Sequence, residues 1–210
     1  MNHKSVVVAL ALFCVLRLAA QAQLTGLPIA RDATQGFYND ISFSGGLVVG
    51  ENINLYGGRF SYHMYDQLML FGDVGLVDPD GGDVGYGLQG GVQYAMPAAP
   101  GMLIDWALRG TVGYANLDQR FGRNKVNVDY YSMTVGGVAS YWIDEMFSVY
   151  GFLGLAHNRL SGSRGVSDNE TDPALGVGGV VTLTPHFSLY GEVMHIDDLW
   201  FGLGVRADLW

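Results

Sequence analysis

The chain has 210 residues, 49% of them hydrophobic and only 15% charged, and 31 are glycine, against about 25% charged residues and about 7% glycine in average soluble domains. No G-X-Y period accompanies the glycine, and 10 Phe, 12 Tyr and 4 Trp argue against disorder. A formal charge of −9 argues against nucleic acid as a partner, and a single cysteine excludes both a disulfide framework and a CxxC metal site.

Residues 1–22 read as a signal peptide. Lys4 precedes the apolar run Val6 to Leu16, and Ala20-Gln21-Ala22 has the small-x-small form of a cleavage site. The run is too short to span a bilayer, which takes about 20 apolar residues. Cleavage would remove Cys14, Lys4 and Arg17 and leave Lys125 as the only lysine. A short N-terminal segment, 23–40, then leads into a domain expected to fill 41–210.

From residue 41 onward the hydrophobic period is two. Ile41, Phe43, Leu47 and Val49 alternate with Ser42, Ser44 and Gly46. Val84, Tyr86, Leu88, Val92 and Tyr94 alternate with glycines, Gln89 and Gln93. Ile104, Trp106, Leu108, Val112 and Tyr114 alternate with Asp105, Ala107, Arg109 and Thr111. Leu199 to Leu209 sets Leu, Phe and Val against Trp200, Gly202, Gly204, Arg206 and Asp208. In a strand such sets point to opposite faces. Ten segments carry the pattern: 41–50, 53–63, 67–77, 83–95, 102–117, 126–142, 146–158, 174–184, 186–196 and 199–210. Their connections alternate between tight turns (Tyr65-Asp66, 97–101, Asp144-Glu145, Thr184-Pro185) and a second set with longer polar members at 78–83, 118–125 and 161–173. Strands of about ten residues with alternating faces, aromatic ends and loops long on one side mark a transmembrane β-barrel. In lipid every backbone N–H and C=O needs a partner, so the sheet must close. The expected fold is all-β: a closed antiparallel up-and-down barrel of ten strands, with eight as the alternative. A soluble sandwich or lipocalin-like barrel fits less well, because its water-facing side would carry more Lys and Glu than the Gly, Ser, Thr and Gln found here.

The whole chain after the leader resembles the small bacterial outer-membrane barrels, the outer membrane protein beta-barrel domain class that includes OmpA-like and OmpX-like proteins. The likeness rests on the pattern, on Phe187-Ser188-Leu189-Tyr190-Gly191-Glu192, and on the last segment, Leu199 to Trp210. It implies a Gram-negative outer-membrane location and a C-terminal aromatic read by the barrel-assembly machinery. Trp210 is the residue in that place. It falls in phase with Arg206 and Asp208, however, and Leu209 holds the apolar phase, so the assembly signal is assigned to Leu209 and Trp210 together.

The enclosed face would hold Arg59, Asp73, Gln89, Gln93, Asp105, Arg109, Glu192, Arg206 and Asp208, with Ser61, His63 and Thr111 beside them. Nearly balanced charges in a narrow lumen should pair, because an unpaired buried charge is costly. Phe71, Tyr150 and Phe152 would occupy volume and the glycines would make room for them, so the expected lumen is polar and filled by side chains. The expected role is structural or surface-interactive, with a narrow porin-like channel as the alternative.

Arg120, Arg123 and Lys125 form the only basic cluster, which reads either as an ordinary solvated loop or as a contact to lipopolysaccharide phosphates. A surface ligand would engage outer loops such as 118–125 and 161–173. Asp78 to Asp83 matches a calcium loop only partially, with no acid at the twelfth position, and reads as a solvated acidic turn. Asp78 and Asp80, with His195 and Asp197 or Asp198, loosely echo an omptin-like outer-membrane protease, but the chain is short for one. His157 and His186 read as rim or turn residues. The expectation is no catalytic residue, no metal site and no cofactor.

Overall fold

A computed structural model describes residues 32–34, 40–51, 53–80, 83–97, 101–121, 124–162, 166–196 and 198–209. The expected leader, Arg123 and Trp210 lie outside the described residues. Ten strands follow one another: β1 (Ile41–Val49), β2 (Ile53–Tyr65), β3 (Leu68–Pro79), β4 (Gly85–Ala95), β5 (Ile104–Phe121), β6 (Asn124–Trp142), β7 (Phe147–Gly162), β8 (Val166–Thr184), β9 (Phe187–Ile196) and β10 (Asp198–Asp208). Each pairs antiparallel with its sequence neighbours, and β1 pairs with β10 from Ser42↔Asp208 to Val49↔Phe201, closing the barrel. The eight-strand alternative is thereby set aside.

The burial is that of a barrel in lipid. Val177 is 69% exposed and Leu203 61%, whereas Asp73 and Arg109 are each 2% exposed. A soluble barrel of this pattern would show the reverse. Tyr86 and Tyr94 lie eight residues apart on β4, as do Trp106 and Tyr114 on β5, and Tyr131 and Tyr141 lie ten apart on β6. At about 3.3 Å per residue and about 40° of tilt, these spacings put two aromatic girdles roughly 20–25 Å apart, the height of an apolar band.

The tight turns gather at one end, with both ends of the ten-strand series. Register shifts at His63/Tyr65 and Thr182/Thr184 sit beside the two-residue reversals. In the β6–β7 turn the Asp144 carboxylate accepts the N–H groups of Met146 and Phe147 at 2.8 and 2.7 Å. Gly101, at φ 85°, takes the left-handed conformation in the β4–β5 connection.

Two expected loops are largely strand. β5 and β6 stay paired out to Phe121↔Asn124, and β7 and β8 from Leu155↔Pro173 out to Gly162↔Val166. Beyond the band the outward face becomes polar, as at Asn116, Asn127 and Asp129, while Leu117, Val128 and Leu160 keep the enclosed phase apolar, so the lipid-facing stripe ends while the backbone ladder continues. Residues 166–174 of β8 run past the last rung shared with β9, Leu175↔His195. Pro173 falls in this stretch, where one strand edge lacks a neighbour and a residue without an N–H is tolerated. β5 likewise runs past its last rung with β4, Tyr86↔Asn116.

Inside, glycines receive rings. Phe71, Tyr150 and Tyr190 each lie over their register partners Gly91, Gly178 and Gly204, where a Cβ would come within 2.3–2.4 Å of the ring. Phe152 lies over Gly136 and Gly154 in the same way, at 2.6 and 2.7 Å. The high glycine content thus converts into interior ring packing.

Candidate functional site

The middle of the lumen is built on register partners. Arg59 of β2 faces Asp73 of β3, donating from Nε to Oδ1 at 2.7 Å and from Nη2 to Oδ2 at 2.8 Å. Two residues along the same face of β3, the Phe71 ring lies between two guanidinium groups, 4.7 Å from Arg59 and 4.0 Å from Arg109. Arg109 donates to Oε1 of its β4 partner Gln93 at 3.0 Å. On the opposite wall the Tyr150 hydroxyl reaches over Gly178 to hydrogen-bond Glu192.

The network continues into a segment that the periodicity does not reveal. Gln93 Nε2 donates to the Asp32 carbonyl at 2.9 Å, and Asp32 Oδ1 accepts from Arg206 Nη1 at 3.1 Å, while Arg206 Nε donates to Asp208 at 3.1 Å. The Ala33 N–H donates to Ser140 Oγ at 3.0 Å and Trp142 Nε1 to Thr34 Oγ1 at 3.2 Å. Ala33 is 1% exposed. Residues 32–34 therefore sit inside the turn end of the barrel, bonded to β4, β6 and β10. Three residues with no alternation carry no signal of this. The physical cause is volume: an eight-stranded barrel is filled by its own side chains, and ten strands leave more room.

Arg59, Asp73, Gln93, Arg109, Arg206 and Asp208 are thus brought into one contiguous set with Asp32. Gln89 is buried beside Asp73 as its register partner, but its Oε1 accepts no hydrogen bond among the described residues. Asp105 stands half-buried at the turn end of β5, within electrostatic reach of Asp32. Ser61, His63 and Thr111 are buried on the same inner face.

At the other end the lumen departs from the polar expectation. Val48, Leu55, Val77, Leu117, Tyr130 and Trp200 are buried in one apolar cluster. Each lies in the enclosed phase of its strand, near the longer-hairpin end. Polar residues dominate that phase only in the middle and at the turn end.

On the outside, Tyr86, Tyr114 and Tyr131 form a continuous aromatic row, with centroids 6.3 and 5.2 Å apart. Just beyond it the Tyr114 hydroxyl donates to Asp129 Oδ1 at 2.7 Å, and Asn116 Nδ2 to the same oxygen at 2.8 Å. Arg120 and Lys125 are register partners near the tip of the β5–β6 hairpin. Leu209 is exposed, and its N–H donates to the Ile41 carbonyl at 2.9 Å.

The protease-like residues are not assembled. His195 is exposed on β9, on the outward phase between Leu175 and Leu199, whereas Asp78 and Asp80 belong to β3 and its turn. β10, β1 and β2 intervene between those strands. Among the described residues no group of three or more His, Cys, Asp or Glu is placed to hold a metal ion. His157 Nδ1 bonds Thr171 at 2.8 Å, and His186 Nδ1 bonds the Asp208 carbonyl at 3.2 Å in the turn region.

A closed antiparallel barrel with a lipid-facing apolar band and enclosed charges defines an integral β-barrel protein of the cell outer membrane. The chain belongs to the outer membrane protein beta-barrel domain family, whose sequence model matches residues 5–201. It is similar to the attachment invasion locus protein of Yersinia enterocolitica, with 35% identity over 91 residues, which is 40% of this chain and 50% of that protein. The chain thus matches half the length of that relative. Among solved structures it is similar to the N-terminal β-barrel domain of Pseudomonas aeruginosa OprF (15% identity, 83% of this chain and 100% of that one, TM-score 0.46). It is also similar to Ail, the attachment invasion locus protein of Yersinia pestis (19% identity, 82% and 100%, TM-score 0.35).

Proposed function

We propose that this outer-membrane barrel is a non-enzymatic protein with a structural and surface-interacting role, acting through the sheet that β5–β8 extend beyond the membrane. The observation that carries this reading is the filled lumen. An apolar cluster occupies one end, the Arg59–Asp73 pair and Phe71 the middle, and Asp32 to Thr34 the other end. A barrel filled in this way has its hairpins as its outward working surface. Exposed Asp168, Asn169, Glu170 and Thr171 on the β7–β8 hairpin supply that surface with polar groups. The name of the Yersinia enterocolitica relative, which refers to attachment and invasion, agrees with a surface role.

Within this reading, residues 1–22 are the export signal, Leu209 and Trp210 the signal to the barrel-assembly machinery, and Arg120, Arg123 and Lys125 the contact to lipopolysaccharide phosphate. A narrow porin-like channel is the second reading, supported by the charged middle layer of Arg59, Asp73, Arg109 and Glu192. Planar-bilayer recording separates the two. A filled lumen gives no steady single-channel steps; steady steps abolished by Arg109→Ala or Glu192→Ala would establish the channel instead. Bacteria displaying the chain should adhere to a protein- or glycan-coated surface better than bacteria whose β7–β8 hairpin is cut back to the Asn158↔Glu170 rung. Equal adhesion would leave the structural role alone.

A further inference from the structure

We infer that the outward face of β5 and β6, where it leaves the apolar band, is a binding site for the sugar headgroup of an anionic outer-leaflet glycolipid. Successive rungs on this face change character in one direction. Val112↔Met133 is apolar and exposed, Tyr114↔Tyr131 is aromatic, and Asn116↔Asp129 is polar. The next pair, Asp118↔Asn127, remains polar. With Tyr86 the two tyrosines make a three-ring shelf across three strands. A pyranose ring presents a C–H face that packs on such a shelf and a rim of hydroxyls that needs acceptors.

The acceptors stand beside the rings and are held in place. Asp129 Oδ1 accepts from Tyr114 and Asn116 at 2.7 and 2.8 Å. Asn116 and Asn127 exchange amide bonds, each at 3.1 Å. Oδ2 of Asp129 takes part in neither of the Oδ1 bonds and is oriented by them. Fixed groups lose little freedom when a ligand arrives.

The opposite girdle differs. There Tyr94 donates to Gln67 at 3.0 Å, and none of the hydrogen bonds described for Tyr94, Trp106 or Tyr141 reaches a carboxylate. Tyrosine at the headgroup level suits any lipid. A carboxylate locked onto the lipid-facing side of a strand suits a lipid that brings hydroxyl donors. Arg120 and Lys125 are register partners on the same phase, four residues beyond Asn116 and Asp129, about 13 Å along the strands. This inference rests on the contact proposed for them with lipopolysaccharide phosphate and extends it to the sugar.

The test uses the full chain in phosphatidylethanolamine nanodiscs, titrated with lipopolysaccharide or with phosphatidylglycerol. The readout is the temperature at which the compact barrel converts to the unfolded gel band, which rises when a ligand binds the folded state alone. Lipopolysaccharide should raise it at a mole fraction at least tenfold lower than phosphatidylglycerol does. Tyr114→Ala/Asp129→Ala should remove that preference, while Trp106→Ala in the other girdle should keep it. Asp129→Asn, which keeps the shape of the side chain, serves if the double variant fails to fold. Equal response to the two lipids, or an unchanged preference in the Tyr114 and Asp129 variants, overturns the sugar site. Loss of preference only in Arg120→Ser/Lys125→Ser would leave the phosphate contact and overturn the sugar site; no loss there, with loss at Tyr114 and Asp129, would do the opposite.

Discussion

Arg206 donates to Asp32 across 174 positions of the chain, at 3.1 Å inside the turn end of the barrel. The pair ties a segment before β1 to the last strand, beside the seam where β1 meets β10. Gln93, Ser140 and Trp142 hold the same three residues from two other walls.

Asp32→Ala should lower the stability of the barrel by about 1–3 kcal/mol, the usual effect of stripping a partner from a buried charged group. Arg206 keeps Asp208 at 3.1 Å, which limits the loss. Urea unfolding in lipid vesicles, followed by tryptophan fluorescence, measures it. An unchanged midpoint would mean that the segment contributes nothing to holding the barrel.

The Arg59–Asp73 pair predicts an asymmetry. Asp73→Ala leaves a buried guanidinium without its bidentate partner and should cost about 3–5 kcal/mol, whereas Arg59→Met/Asp73→Leu should recover most of that loss. The double variant comparing worse than Asp73→Ala in the same unfolding assay would contradict this account.

Gly178→Ala is expected to cost about 1–3 kcal/mol by overpacking. Its new methyl would stand 2.4 Å from the Tyr150 ring and 2.7 Å from the Gly191 carbonyl oxygen, and the backbone atom cannot swing aside. Gly72→Ala, with nothing within 4 Å of its Cβ, is the matched control. Equal unfolding midpoints for the two would sink the ring-on-glycine explanation.

Lipid orientation predicts the effect of a charge on the outer wall. Val135 is 54% exposed and lies between Tyr131 and Tyr141 on β6. Val135→Arg should cost about 2–4 kcal/mol near the bilayer midplane. The same substitution at Asn127, beyond the girdle, should be close to neutral. Folding yield into vesicles and unfolding midpoints report both.

The middle of the lumen could be read ahead of the structure because it follows from phase. Arg59, Asp73, Gln93 and Arg109 alternate with lipid-facing residues, so each had to point inward once the apolar set pointed out. Their pairing required register, which alternation does not contain: Arg59 meets Asp73, and Gln93 meets Arg109, only because the β2–β3 and β4–β5 connections set those rungs opposite. The hairpins at 118–125 and 161–173 carry no lipid-facing apolar stripe, so the pattern alone gives loops there. Strand continues there because backbone pairing does not need an apolar side.

Closure and membrane orientation followed from a repeated period of two, since a sheet with one greasy face and few charges on the other has no other way to satisfy its backbone in lipid; ten strands rather than eight came from the pairing of β1 with β10. The placement of Asp32 to Thr34 in the lumen, the apolar packing of Leu55, Tyr130 and Trp200 at its other end, and the fixing of Asp129 beside a tyrosine shelf came only from three dimensions. Those contacts join residues far apart in the chain, and what brings them together is the volume and register of the closed barrel, quantities that a one-dimensional pattern does not carry.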